Sequence, residues 1–149
     1  MDRDLLEFVD VEVELSRFIR RVRVQSLRRL EKIHPKLDYG TFLFLIVICD
    51  ASDGMRGSEL ADSLGVHKST ASRAIASLER MDLVSRVPDP DDGRAQLLVA
   101  KPGAITSLEE YRTTSRARLG EILAEWTHDE VAHFSRAMAR LNDTAEELS

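Results

Sequence analysis

Apolar residues recur at helical spacing from Leu5 through Phe8, Val9, Leu15, Phe18, Ile19, Val22, Leu27 and Leu30 to Ile33, with charges on the opposite face. Neither Pro nor Gly interrupts this stretch before Pro35, so the pattern predicts one long helix, about 40 Å at 1.5 Å per residue. His34-Pro35 ends it, because proline disfavours the helical conformation of the residue before it. Asp38 is an N-cap for a second helix, Tyr39 to Cys49, whose run FLFLIVIC must be buried. Its Val and Ile content also suits a core strand. The segment DASDG that follows is a turn by composition.

The pattern then shortens. Ser58 is read as the cap of a helix from Glu59 to Leu64, stopped at Gly65, which supplies a left-handed backbone for a sharp turn. Leu60, Ala61, Leu64, Val66, Ala71 and Ile75 fall where two steeply crossing helices bury side chains, the arrangement of a helix-turn-helix. A helical hairpin without that function fits the same residues. The second helix, about His67 to Met81, opens with His67, Lys68, Ser69, Thr70, Ser72 and Arg73 and turns Ala71, Ala74, Ile75 and Leu78 inward. Short polar side chains and free helix N-terminal amides suit phosphate, and Lys or Arg reaches guanine.

Leu83 to Val87 and Ala95 to Ala100, rich in β-branched and apolar residues, read as strands around the loop PDPDDGR. The loop's aspartates would repel phosphate unless one holds Arg94, and Asp92, two residues earlier, is the candidate for that task. An arginine so held suits a narrow minor groove. From Ala104 the chain returns to helix. Leu108, Tyr111, Ser115, Leu119, Ile122 and Leu123 form a stripe ending at Trp126, and Thr127 to Glu130 is a capping box for a last helix from His128. Val131, Phe134, Met138, Leu141, Ala145 and Leu148 give that helix its own stripe. The first helix and the two terminal helices together predict a dimerisation layer formed with a second copy of the chain.

Composition narrows the function. A chain of 149 residues, 43% hydrophobic and 32% charged, suits one soluble helix-rich domain. Its longest apolar run, Phe42 to Cys49, is far short of the roughly 18 residues that cross a membrane, and the acidic start is unlike a secretory signal. A cytoplasmic protein without a membrane partner is expected. The net charge of −5 argues against nucleic acid when taken alone. The charges are segregated, however. Arg17, Arg20, Arg21, Arg23, Arg28, Arg29, Lys32 and Lys36 face a single acid, Glu31, between Ser16 and Lys36. DNA responds to the local field over about 10 Å, although a solvated helix face explains the same run. Cys49, the one cysteine, excludes an intrachain disulfide, and its apolar setting favours an inert thiol over a redox sensor. His34, His67, His128 and His133 are scattered and form no metal-binding spacing, and neither a phosphate-binding glycine loop nor a nucleophile elbow is present. Neither enzyme activity, nor a metal, nor a cofactor is expected.

The stretch LADSLGVHKSTASRAIASLERMDLVSRVPDPDDGRA, the helix order around it and the final ARL-containing helix resemble the MarR family of bacterial transcriptional regulators, over nearly the whole chain. The resemblance implies a mainly α fold with a small β-hairpin wing (α+β), a winged helix-turn-helix at 38–103, and dimerisation helices at 1–36 and 104–149. It implies a homodimeric repressor of a pseudo-palindromic operator in double-stranded DNA, released by a small aromatic or anionic effector. Lys68, Ser69, Thr70, Ser72 and Arg73 then fall in the recognition helix, Arg86 on the wing strand, and Asp92 with Arg94 on the wing's Asp-x-Arg motif. Phe18, Phe42, Tyr111 and Trp126 are candidate effector contacts, although aromatics at helical spacing are more often core. Gly93 departs from the family's usual basic residue, Ala100-Lys101 replaces its Leu-Thr pair, and Cys49 lies far from the chain start, where peroxide-sensing members carry theirs. A winged-helix module that binds protein rather than DNA is the alternative.

Overall fold

Most breaks in the hydrophobic pattern fall at element ends in the computed structural model, which describes residues 3–147, and side-chain surroundings for 9–145 and 147. The elements are α1 (Arg3–Leu30), α2 (Tyr39–Asp50), α3 (Gly57–Ser63), α4 (Lys68–Arg80), β1 (Val84–Pro88), β2 (Gln96–Ala100), α5 (Pro102–Ile122) and α6 (His128–Glu147). Leu148, assigned to the last apolar stripe, lies outside the described residues, as do the side chains of Leu5 and Phe8. Packing divides the chain into two compact units, Met1–Glu110 and Tyr111–Ser149. The division falls inside α5.

In the first unit α1 stops at Leu30, earlier than the apolar spacing predicts. The amides of Ile33 and His34 both turn back to the Leu30 carbonyl, so Ile33 belongs to a turn. Asp38 caps α2: its Oδ1 accepts the Thr41 amide at 2.9 Å and its Oδ2 the Thr41 hydroxyl at 2.8 Å. The FLFLIVIC run is helical and supplies Phe42, Phe44, Leu45 and Ile48 to the core, which settles helix against strand. Leu60, Ala61, Ala71, Ile75, Leu78, Val84, Leu98, Ala104 and Leu108 complete that core.

One turn motif is used twice, between α3 and α4 and between α4 and β1. At the end of α3 the Val66 amide bonds the Ala61 carbonyl and the Gly65 amide the Asp62 carbonyl, with Gly65 at φ 62°. At the end of α4 the Leu83 amide bonds Leu78 and the Asp82 amide bonds Glu79, with Asp82 in the left-handed position at φ 60° and its carboxylate paired with Lys101. Leu83 is thus spent on the helix end, and β1 begins one residue later than expected. The strands pair antiparallel, Val84 with Ala100 through Pro88 with Gln96. Met55 adds an isolated bridge to Leu98, its amide donating at 3.1 Å and its carbonyl accepting at 2.8 Å.

Two further sequence-based boundaries are corrected. Ser58 does not cap α3. The N-cap is Arg56, whose amide donates to the Glu59 carboxylate at 2.7 Å, so the carboxylate three residues on, rather than the hydroxyl, fixes the start. α5 begins at Pro102, two residues before Ala104, because proline is suited to the first helical position.

In the second unit the Thr127 amide and hydroxyl both donate to Glu130, at 2.7 and 2.9 Å, and the Glu130 amide returns to Thr127 Oγ1 at 3.3 Å. The carboxyl of Glu130 is held below its ordinary range, first by the Thr127 amide. Trp126 then packs edge-on against Phe134, with ring centroids 5.6 Å apart.

Candidate nucleic-acid interface

α4 keeps its two faces apart. Ala71, Ala74, Ile75 and Leu78 are buried, while Lys68, Ser69, Thr70, Ser72 and Arg73 are all exposed. Small alanines on the inner face suit a close approach of α4 to its neighbours, and the opposite, polar face is left exposed. Among the described residues, Arg73 makes one weak contact, Nε to the Ser69 carbonyl at 3.4 Å, and so remains available to a ligand.

On the wing, Arg94 is exposed, and no other described residue engages its guanidinium. Asp92 does not grip that guanidinium as the sequence suggests. Its Oδ1 accepts the Arg94 backbone amide at 3.1 Å, an Asx turn that orients the main chain. Its Oδ2 instead lies 3.6 Å from Nη2 of Arg56. Arg86 is also committed elsewhere: its Nε and Nη2 reach the two carboxylate oxygens of Glu79, at 2.8 and 3.4 Å, tying β1 to α4. It reads as a brace, and only part of it faces outward.

Two residues that the sequence did not single out organise the wing. Arg56 directs Nε and Nη2 to Oδ2 of Asp89, at 3.0 and 2.6 Å. Asp89 is only 7% exposed, and its Oδ1 accepts the Asp91 amide at 2.9 Å. That amide first, and the Arg56 guanidinium second, hold the Asp89 carboxyl below its ordinary range. The repulsion expected from the loop's aspartates is therefore reduced, since Asp89 and Asp92 both face a cation and, among the described residues, Asp91 alone of the three does not. Sequence reasoning missed the pair because its partners lie 33 residues apart with no local pattern linking them.

The candidate effector residues differ in their surroundings. Phe42 is 2% exposed beside Tyr39 in the core, which leaves it no face for a ligand, whereas Phe18 is exposed on α1. In the second unit Tyr111 is half-buried and Trp126 leans on Phe134. A shallow, open groove on α1 is lined by Arg20, Arg21, Val24 and Gln25. Among the described residues no group of three His, Cys, Asp or Glu is placed to hold a metal, and no helix is long and apolar enough to cross a membrane.

Known proteins share this arrangement. The model of the MarR family matches residues 41–95, the span from α2 to the wing. Over 132 residues the chain is 33% identical to the uncharacterised HTH-type transcriptional regulator YxaD of Bacillus subtilis, covering 89% of this chain and 90% of that one. The structure of Streptococcus pneumoniae FabT in complex with DNA superposes with a TM-score of 0.86 at 18% identity, over 95% of this chain and 99% of FabT. The crystal structure of MarR gives 0.72 at 23% identity, over 92% and 98%. A MarR family protein from Bacillus stearothermophilus gives 0.76 at 19%, over 98% and 99%. With a winged helix-turn-helix in the structure and a 33% identical relative matched over 89% of the chain, the chain belongs to the MarR family of transcriptional regulators, which are not enzymes.

Proposed function

We propose that this regulator binds double-stranded DNA as a homodimer and represses by occupying promoter DNA at a pseudo-palindromic operator. The observation that carries the reading is the outward face of α4: five polar side chains, Lys68, Ser69, Thr70, Ser72 and Arg73, that take no part in the core. The solved complex of FabT with DNA, a protein of the same fold, supports it. α4 enters the major groove and Arg94 the adjoining minor groove, while Arg86 and Asp92 act by holding the wing. The dimer layer is drawn from 1–36 and 104–149, and two copies of α4 meet successive major grooves about 34 Å apart. Ile19 and Ile122, each 57% exposed, support such a layer, since large aliphatic side chains this exposed favour a partner surface. Release by a small aromatic or anionic effector completes the proposal.

The test is a gel shift on the DNA upstream of the protein's own gene. Arg73→Ala should weaken binding by about 1–3 kcal/mol, and log affinity should fall linearly with log salt. Binding indifferent to Arg73, Arg94 and salt would refute the reading. It would favour the alternative, a protein-binding module, for which the net charge of −5 speaks. Titrating aromatic carboxylates into the complex tests release.

A further inference from the structure

The geometry points to Arg56 as a positioning residue for Arg94, acting through the aspartates of the wing loop. This inference rests on the DNA-binding reading above and names a part of its machinery. A two-stranded hairpin has little rigidity of its own, so its direction must be set by contacts at its base. Two ties hold the strands: the Met55–Leu98 bridge and the Glu79–Arg86 pair. Neither reaches the loop. Arg56 does, from the residue that starts α3.

The contacts form one continuous path. Both donor groups of Arg56 converge on Oδ2 of the nearly buried Asp89, and Nη2 also faces Oδ2 of Asp92 at 3.6 Å. The other oxygens of the two carboxylates each hold a loop amide: Asp89 Oδ1 that of Asp91 at 2.9 Å, Asp92 Oδ1 that of Arg94 at 3.1 Å. The loop is closed behind them, the Asp89 amide bonding the Ala95 carbonyl at 3.1 Å and the Ala95 amide the Asp92 carbonyl at 2.8 Å. One guanidinium therefore fixes both carboxylates, and those carboxylates fix the backbone from which Arg94 projects. Removing it leaves the Asp89 carboxylate sheltered and without its cation, a state relieved by the loop turning outward to water. A lysine cannot replace it fully, because an ammonium lacks the planar fork that spans two acceptors.

The experiment compares the full-length wild type with Arg56→Ala, Arg56→Lys, Arg94→Ala, Asp92→Asn and the Arg56→Ala/Arg94→Ala double variant. Binding to the upstream fragment should weaken about tenfold in Arg56→Ala and less in Arg56→Lys. The double variant should bind no more weakly than Arg94→Ala alone, since Arg56 acts only through Arg94. Hydroxyl-radical footprints of Arg56→Ala should lose the flanking minor-groove protection and keep guanine protection under α4. In the DNA-free proteins, exchange of the Asp91 and Arg94 amides should quicken in Arg56→Ala while that of Leu78 stays unchanged. Effects of Arg56→Ala and Arg94→Ala that multiply, or wing amides indifferent to Arg56, would overturn the inference. Should Arg56→Ala not fold, Asp92→Asn, which cuts the path while leaving the Asp89 contact, must reproduce the footprint and amide changes in weaker form, or the inference falls. A wild type that shifts no DNA would defeat the DNA-binding reading, and amide exchange would still decide whether Arg56 holds the wing.

Discussion

The stretch from Leu37 to Leu108 and the helices outside it carry apolar stripes of the same kind, yet only the first buries its stripe within the chain. Nearly all the buried apolar residues lie there, with Leu30 just outside. α1 leaves Val9, Phe18, Ile19 and Val24 exposed, and Leu119, Ile122, Phe134 and Leu141 are exposed in the second unit. A helical stripe states which face is to be covered, and it is silent on whether the cover comes from the same chain. α4 and α6 are similarly amphipathic, but α4 finds its cover in α2 and α3, whereas α6 keeps its large apolar residues in view.

That contrast can be broken most forcefully in the core. Leu78→Ala should cost about 3 kcal/mol, read by denaturant unfolding, because Leu78 is fully buried and its truncation leaves a cavity in the core. An exposed apolar residue should behave differently. Ile19→Glu should leave the far-UV spectrum unchanged but shift sedimentation toward a single copy, weakening association by about 2 kcal/mol, if the layer is an interface. Unchanged association would place the partner surface elsewhere.

Smaller effects sharpen the picture of how the covered region is built. Gly54 sits at φ 78°, and an added Cβ would lie 3.0 Å from the Leu98 carbonyl, so Gly54→Ala should cost about 1–2 kcal/mol and loosen the Met55–Leu98 bridge. Asp38→Ala removes the cap of α2 for about 1 kcal/mol. The Thr41 amide, foremost, holds the Asp38 carboxyl below its ordinary 3.8. The group is thus more acidic folded than unfolded, and its contribution is complete above pH 3.8. It disappears as pH falls through the lowered folded value, so the gap between wild type and Asp38→Ala should close only in strong acid, as acid unfolding curves would reveal.

Much of this architecture was legible along the chain because its causes are local. Gly65 stops α3 by its own backbone chemistry, and Thr127 with Glu130 starts α6 within one turn, whereas α1 stops at Leu30, before Pro35 can act on it. Errors came where two local rules competed. At α3 a hydroxyl at Ser58 looked like the cap, but Glu59 one residue on serves the amide of Arg56, and the carboxylate won. At the wing, proximity in sequence suggested that Asp92 would hold the Arg94 side chain. It holds the backbone, while its second oxygen turns to a cation from another element. No spacing rule brings Arg56 to Asp89, since only the folded hairpin makes them neighbours.

The strict division of α4 into a packed and an outward face bears on how such a protein diversifies. Lys68, Ser69, Thr70, Ser72 and Arg73 can change identity without disturbing Ala71, Ala74, Ile75 or Leu78. Under the proposed DNA-binding role, a duplicated gene would drift to new target sites one outward residue at a time while the packed face stays the same. On that proposal its sequence preference would be rewritable text on an unaltered page.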